Sequence, residues 1–539
     1  MINTLTKLSE EVLAEIREEM EIRRVSELFL LFALGSQTDH LIKQAMDRLG
    51  VFCLVADPAS ITAQEVEKIM PKGIILSGGP VSVCQDPPPF DLRIFDLGIP
   101  VLGICLGFQL WAQYKGFGVE TSEKREYGGN HSLWLHDHSG SSPFLFEGCQ
   151  TGMKVVQSHG DKVVAGEGLS ILGETENSPV AAACCEHLWG VQFHPEVSHT
   201  ENGPKIFENF CFGICGAKDR FPSQDVAREK ILRLREKIGD DSVLLGLSGG
   251  SDSSTVAYLL KEAMRESKGV LYGLYIKGVD RPDDERHVRE FFADKPWIQM
   301  IFVDATEPFL EALKGKTTMP EKRMAMRKVY KILFEREVER LKDVKFIAQG
   351  TLYTDLSESG LGYASGAKKA RIKMHHNVSL GFSCEELLPL ADCVKDSGRN
   401  IGRSIGVPEE LLTRHPFPGP GLIIRIEGEV TSEKLSIARK ADDIFIEELH
   451  AWGLYEQVWQ AGAVVTLSRI TCTKGDGAIS GIVMALWAVS SVNGFTASRS
   501  RLPEDFWDKA DRRICNEIHE VGATCQRLSG KPPATIEWG

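Results

Sequence analysis

The chain has 539 residues, too many for one hydrophobic core, so two to four domains are expected. Apolar residues make up 42% and charged residues 25%, as in folded globular proteins, and the net charge of −13 argues against non-specific nucleic-acid binding, which needs a basic face. The 13 scattered cysteines show no paired C-x-x-C spacing, which removes the usual zinc pattern and suggests a reducing, cytoplasmic setting.

In chain order, residues 4–24 place Leu5, Leu8, Val12, Ile16 and Met20 at helical spacing. They predict an amphipathic helix ahead of the first strand. The run "LFLLFAL" at 28–34 is shorter than the roughly 20 apolar residues of a membrane span and reads as a buried strand. No basic n-region precedes it, so it does not resemble a signal peptide. A helix over about 38–49, the strand "VFCLVA", a second helix, the strand "GIILSGGP" and the strand "IPVLGIC" follow, with a helix from Leu106. This alternation implies a largely parallel sheet covered by helices.

The segment "GAKDRFPSQ" at 216–224 reads as a linker. A second α/β pattern then opens with the helix "DVAREKILRLREKI" and the strand "SVLLGLS", and continues through "VLYGLYI", "IQMIFVD" and "VKFIAQG". At 414–422, "RHPFPGPGL" fixes backbone direction and excludes a regular helix. A helix over about 432–451, further strands and the tail "SGKPPATIEWG" complete the chain.

Two stretches carry chemistry. In "VLGICLGFQL", Cys105 lies between Gly103 and Gly107 at a strand-to-helix junction, where small neighbours permit a tight turn and the helix N-terminus favours a thiolate. Downstream, "GVQFHPEV" supplies His194 and Glu196, two residues apart on an extended segment, so both can point to one side. A base and its orienting carboxylate then complete a Cys-His-Glu nucleophilic set. A lone cysteine is more often a small buried hydrophobe. The flanking glycines and the His-x-Glu pair favour catalysis here. The second stretch, "GLSGGSDSS" at 246–254, follows a buried strand. Its glycines let the backbone approach an anion, Ser248, Ser253 and Ser254 offer hydroxyls, and the next helix offers free N–H groups. Asp252 suits such a loop if Mg²⁺ bridges it to phosphates. The plain alternative is a serine-capped Gly/Ser turn.

The first set resembles the triad-type (class I) glutamine amidotransferases, and "GSQ" (35–37), "ILSGGP" (75–80), "REYG" (125–128) and "SHGDKV" (158–163) fit the same resemblance. It implies that Cys105 attacks the side-chain amide of glutamine and releases ammonia, with Gly78 and Gly79 at the oxyanion hole. The second stretch resembles the pyrophosphate loop of the N-type ATP pyrophosphatases, which implies that Ser248, Gly249, Gly250, Ser251, Asp252, Ser253 and Ser254 hold ATP, with Mg²⁺ on Asp252. The order of the two, with "KMHHNV" (373–378), "RHPFPGPGL" and "GKPPATIEW", resembles the glutamine-hydrolysing GMP synthase family over nearly everything after about residue 27.

That resemblance implies an α/β protein with two doubly wound parallel-sheet domains and a smaller α+β dimerisation domain. The expected boundaries are a helical extension over 1–25, an amidotransferase domain over 26–215, an adenylating domain over 216–415 and a dimerisation and nucleotide-binding domain over 416–539. It implies glutamine, ATP and xanthosine monophosphate as substrates, a homodimer, and Arg323, Lys531 and Glu537 on the substrate nucleotide. The basic run at 366–376 is either a lid over that nucleotide or a solvated face. Departures from the family pattern cluster late: Lys277 stands at a usual aspartate, Arg327 at a usual glycine, Trp487 at a usual arginine, Ser480 at a tyrosine, and Gly539 at a glutamate. They leave open a related amidotransferase acting on another purine-like nucleotide or a specialised metabolite, or a non-catalytic nucleotide-binding relative.

Overall fold

A computed structural model describes residues 4–36, 38–136, 144–197, 199–281, 283–352, 381–393, 395–415, 417, 419–475, 477–491, 497–531 and 534–539. These form two compact units, one reaching Glu229 and one beginning at Lys230.

In the first unit the strands are β1 (Phe29–Phe32), β2 (Cys53–Ala56), β3 (Gly73–Leu76), β4 (Val101–Ile104), β5 (Val119–Leu135), β6 (Met153–Val163), β7 (Ser170–Glu174), β8 (Ala182–Cys185) and β9 (Leu188–Val191). They build a nine-stranded sheet in the order β2-β1-β3-β4-β9-β8-β7-β5-β6. Every residue of β1 to β4 is buried, the continuous apolar pattern of parallel strands covered on both faces. The pairings β1/β2, β1/β3, β3/β4 and β4/β9 are parallel. From β9 onward the pairings are antiparallel, so the sheet is mixed rather than wholly parallel.

The N-terminal helix is shorter than its periodicity suggests, running Glu10–Arg23 with the Ser9 hydroxyl accepting the Val12 N–H at 3.2 Å. Ser9 followed by two glutamates is a helix start, and it overrides the apolar period upstream. Leu5, 1% exposed, instead pairs in parallel with Ala56 of β2. Ile16 lies in the same core as Leu30, Phe52 and Leu54.

In the second unit, β10 (Ser242–Gly246), β11 (Leu271–Lys277), β12 (Gln299–Asp304), β13 (Val344–Ala348) and β14 (Glu385–Leu387) form a wholly parallel sheet in the order β12-β11-β10-β13-β14. The chain works outward from β10 on one side, then returns to the other. That reversal opens a crevice at the strand ends beside β10, where α/β sheets bind ligands. A third sheet is built on the hairpin of β15 (Gln460–Lys474) and β16 (Gly477–Ser490), with β17 (Ser498–Arg499) antiparallel and β18 (Val521–Gln526) parallel to β16. The helix Ser432–Ala451 buries Ile437, Phe445 and Leu449 in one cluster with Met484 and Leu486 of this sheet and Met326 of the helix Met319–Leu341. Ile276 of β11 and Val303 of β12 pack against this cluster from the parallel sheet. At 414–422, Gly421–Arg425 is a short 3-10 turn, and Pro416 and Pro418 lie outside the described residues. No helix among the described residues is long and apolar enough to cross a membrane.

Candidate active sites

The chain leaves β4 through Cys105, whose φ of 51° and ψ of −104° are strained for a residue with a side chain. The turn is this tight because Gly103 and Gly107 touch: a Cβ on Gly103 would lie 2.6 Å from the Gly107 backbone. Cys105 N–H donates to Val191 O of β9 at 2.8 Å, and its side chain sits at the start of the helix Leu106–Tyr114. The segment after β9 brings in His194, whose Nδ1 is 2.7 Å from Glu196 Oε1. Burial works against a charge on His194, yet the Glu196 carboxylate and the Cys105 sulfur raise its pKa well above the usual imidazole value. Such a set can pass the thiol proton to the imidazole and leave a thiolate.

Gly78 meets this pair directly. A Cβ there would lie 3.0 Å from His194 Cε1 and 3.6 Å from Cys105 Cβ. A Cβ on Gly79 would press on Leu34 O at 2.6 Å and Leu106 Cδ2 at 2.5 Å. Gly78 therefore lets the turn after β3 lie against the cysteine and the histidine, and Gly79 lets it lie against Leu34 and Leu106.

Thr38 belongs to no recognisable motif. It occupies the N-cap position of the helix Asp39–Arg48 but makes no side-chain cap; its hydroxyl donates instead to Glu196 Oε1 at 2.6 Å. Glu126 of β5 was visible only within "REYG". Its fully buried carboxylate accepts from Ser178 Oγ at 2.9 Å and Thr175 Oγ1 at 3.0 Å, and lies 3.3 Å from His159 Nε2. Burial pushes its pKa up, but the hydrogen bonds of His159, Ser178 and Thr175 outweigh it and hold the value at about 2.

In the second unit, the loop after β10 turns at Gly249, φ 75°, into the helix Ser251–Ala263. Ser248 Oγ lies 3.1 Å from Ser253 Oγ, and Gly250 N–H donates to Ser248 Oγ at 3.4 Å. Asp252, in the helix's first turn, has Oδ1 2.8 Å from Ser251 Oγ and Oδ2 3.8 Å from Lys395 Nζ. Arg414 Nη1 donates to Gly249 O at 3.2 Å, and Arg414 pairs with Asp284. Ser248, Gly250, Ser251, Asp252 and Ser253 line a cavity with Arg281 and Lys395. Gly249 and Ser254 do not face it, and Ser254 Oγ is buried without a hydrogen-bond partner. Among the described residues no cluster of three or more His, Cys, Asp or Glu side chains could hold a metal by itself.

Of the nucleotide candidates, Arg323 donates through Nη2 to Gly539 O at 2.6 Å, which docks the tail on the helix Met319–Leu341. Glu537 is 7% exposed, and both its oxygens are engaged: Oε1 accepts from Arg425 Nη2 at 2.7 Å and Gln460 Nε2 at 2.5 Å, Oε2 from Arg425 Nε at 3.1 Å. Lys531 pairs through its backbone with Ala497. Arg425 and Gln460 carried no sequence signal, since each reads as an ordinary residue beside an apolar run. "KMHHNV" and the basic run at 366–376 lie outside the described residues.

Comparison with known proteins agrees with this division of labour. The family "Glutamine amidotransferase class-I" matches residues 30–214, "NAD synthase" residues 226–332, and "GMP synthase C terminal domain" residues 447–538. Fold and matches together define an amidotransferase joined to a nucleotide-using α/β domain. Relatives match over most of the chain. "GMP synthase [glutamine-hydrolyzing]" of Vibrio vulnificus (strain CMCP6) is 42% identical over 517 residues, covering 94% of this chain and 98% of that protein. The protein of the same name from Aquifex aeolicus (strain VF5) is 41% identical over 520 residues, covering 94% and 99%, and that from Latilactobacillus sakei is 41% identical over 515, covering 94% and 96%. The chain belongs to the glutamine-hydrolysing GMP synthase family.

Proposed function

We propose that this chain converts xanthosine monophosphate to GMP, cleaving ATP to AMP and pyrophosphate and taking its nitrogen from glutamine. The observation that carries this reading is the Cys105 elbow with His194 and Glu196 beside it, in a chain that also contains the Ser248–Ser253 phosphate loop. His194 takes the thiol proton and Cys105 attacks the glutamine amide carbonyl. N–H groups at Gly78 and Gly79 steady the oxyanion, a contribution worth roughly 10²–10³ in rate for one donor. His194 returns its proton to the leaving ammonia, and water then releases glutamate from the thioester.

In the second unit, the loop from Ser248 to Ser253 holds the pyrophosphate portion of ATP while the acceptor oxygen attacks the α-phosphorus. AMP is thereby placed on the base oxygen and pyrophosphate departs. Ammonia then displaces AMP. Asp252 fits Mg²⁺, which takes one or two carboxylates and fills its shell with phosphate oxygens and water. When bound, the ion neutralises charge on the departing pyrophosphate. Arg323, Lys531 and Glu537 belong to the acceptor side, in a cytoplasmic homodimer.

A different purine nucleotide as acceptor is a second reading, favoured by Trp487. This residue is fully buried beside Ile536 and Trp538, the neighbours of Glu537. An acceptor screen decides between them. Pyrophosphate release with ATP and glutamine is followed against xanthosine, inosine and adenosine monophosphates. Release with xanthosine monophosphate supports the first reading, and release only with another nucleotide supports the second.

A further inference from the structure

Arg281 follows β11 and stands where two chains of ionic contacts meet. Its backbone N–H donates to Asp284 Oδ2 at 3.2 Å, and Asp284 pairs with Arg414, which holds the carbonyl of Gly249. Its side chain runs the other way. Nε donates to Asp442 Oδ2 at 2.7 Å, Asp442 Oδ1 accepts from Arg425 Nη1 at 2.5 Å, and Arg425 holds Glu537. Asp442 and Arg425 are both fully buried, and the Arg281 guanidinium also lies 4.5 Å above the Phe417 ring. Its direction is therefore fixed before any ligand arrives.

One part of this side chain is unused. Arg281 Nη2 is buried and has no hydrogen-bond partner, although the residue lines the same cavity as Ser248, Ser253 and Asp252. A buried guanidinium donor left unpaired costs the full desolvation of that group, so native structures rarely tolerate one without a ligand or water to receive it. A phosphoryl oxygen is the acceptor that suits a held guanidinium in a phosphate-binding cavity.

We propose that Arg281 is a phosphoryl-binding residue of the adenylating site, donating from Nη2 to the nucleoside triphosphate held by the Ser248–Ser253 loop while Asp442 fixes its orientation. The proposal rests on the ATP role assigned to that loop. It gives the site a cation that lies outside the loop itself and is tied to the acceptor-side tail.

The test uses the full chain and the non-cleavable analogue adenosine 5′-(α,β-methylene)triphosphate with Mg²⁺, followed by calorimetry. Arg281→Gln is expected to weaken analogue binding roughly ten- to a hundredfold, the loss of one charge-assisted contact. Arg281→Lys should recover part of that loss as a point charge. Thermal midpoints should stay close to wild type, because Asp442 keeps its pairing with Arg425. Arg281→Gln affinity within about twofold of wild type overturns the proposal. So does a lowered thermal midpoint with weakened binding that Arg281→Lys leaves equally weak, which marks a structural role. The same preparations separate this from the acceptor assignment. Wild type that binds the analogue yet releases no pyrophosphate with xanthosine monophosphate refutes the acceptor alone.

Discussion

Glu196 Oε1 receives two donors, His194 Nδ1 at 2.7 Å and Thr38 Oγ1 at 2.6 Å. The carboxylate is thereby held toward the ring from the far side, and its charge is a cause of the raised His194 pKa. A raised folded-state value means that the stabilisation is fully present below the unfolded imidazole pKa of about 6.5 and is lost as pH rises through the higher folded value. Glu196→Gln removes it. The stability gap between wild type and this variant should be widest below about pH 6.5 and narrow toward alkaline pH, as read by thermal unfolding across that range. A gap that widens with pH would contradict the assignment.

Cys105→Ala should lower glutamine-dependent turnover by at least about three orders of magnitude, as removal of a nucleophile does. Free ammonia at high pH should still support product formation, because the second unit keeps its own chemistry. Equal loss with both nitrogen sources would refute a separate glutaminase role.

Gly249→Ala tests the phosphate loop without removing a charge. The residue has φ 75°, and a Cβ would lie 2.4 Å from Val288 Cγ2. The left-handed conformation alone costs a residue with a side chain about 1–2 kcal/mol. Pyrophosphate release should fall tenfold or more while glutamine hydrolysis by Cys105 persists. Asp252→Asn should show the same split through a different cause, the loss of a hard oxygen ligand for Mg²⁺. An unchanged adenylation rate in either variant would remove that residue from the site.

Arg23 and Glu229 form an ion pair at 2.9 Å with side-chain exposures of 5% and 0%. Arg23→Met takes the 2.9 Å ion-pair partner from a fully buried carboxylate and should destabilise the chain by about 3–5 kcal/mol. Arg23→Met with Glu229→Leu should regain most of that loss in chemical denaturation. Full additivity of the two losses would show that the pair does not act as one unit.

The legible part of this protein is the part whose signal is local. Gly103, Cys105 and Gly107 lie within five positions of one another, and a strained elbow needs just that spacing. The loop from Ser248 to Ser254 is local in the same way, although the sequence alone does not tell that Ser254 turns inward and Ser253 outward. Thr38 carries no signal of its own in the sequence; only the fold shows its hydroxyl directed to a carboxylate 158 residues away. Arg425 sits inside "GLIIR" and meets partners 17 and 112 residues distant, so no window of sequence contains its role. The helix start at Ser9 was masked by apolar residues that continue the same period upstream, one of which, Leu5, belongs to the sheet.

That small pairing has a consequence for how the molecule behaves among its own copies. β2 is the outermost strand on its side of the nine-stranded sheet. Leu5 covers it there, taking Val55 O through its N–H at 2.7 Å and receiving the Asp57 N–H at 3.0 Å. An apolar strand four residues long with open hydrogen-bonding groups is a template for a neighbour's strand. The N-terminal segment fills part of that position from within the same chain, and Ile16 and its neighbours lay a helix over the adjoining core. It thus leaves that edge less open to pairing with a neighbour's strand, a consequence independent of any step in catalysis.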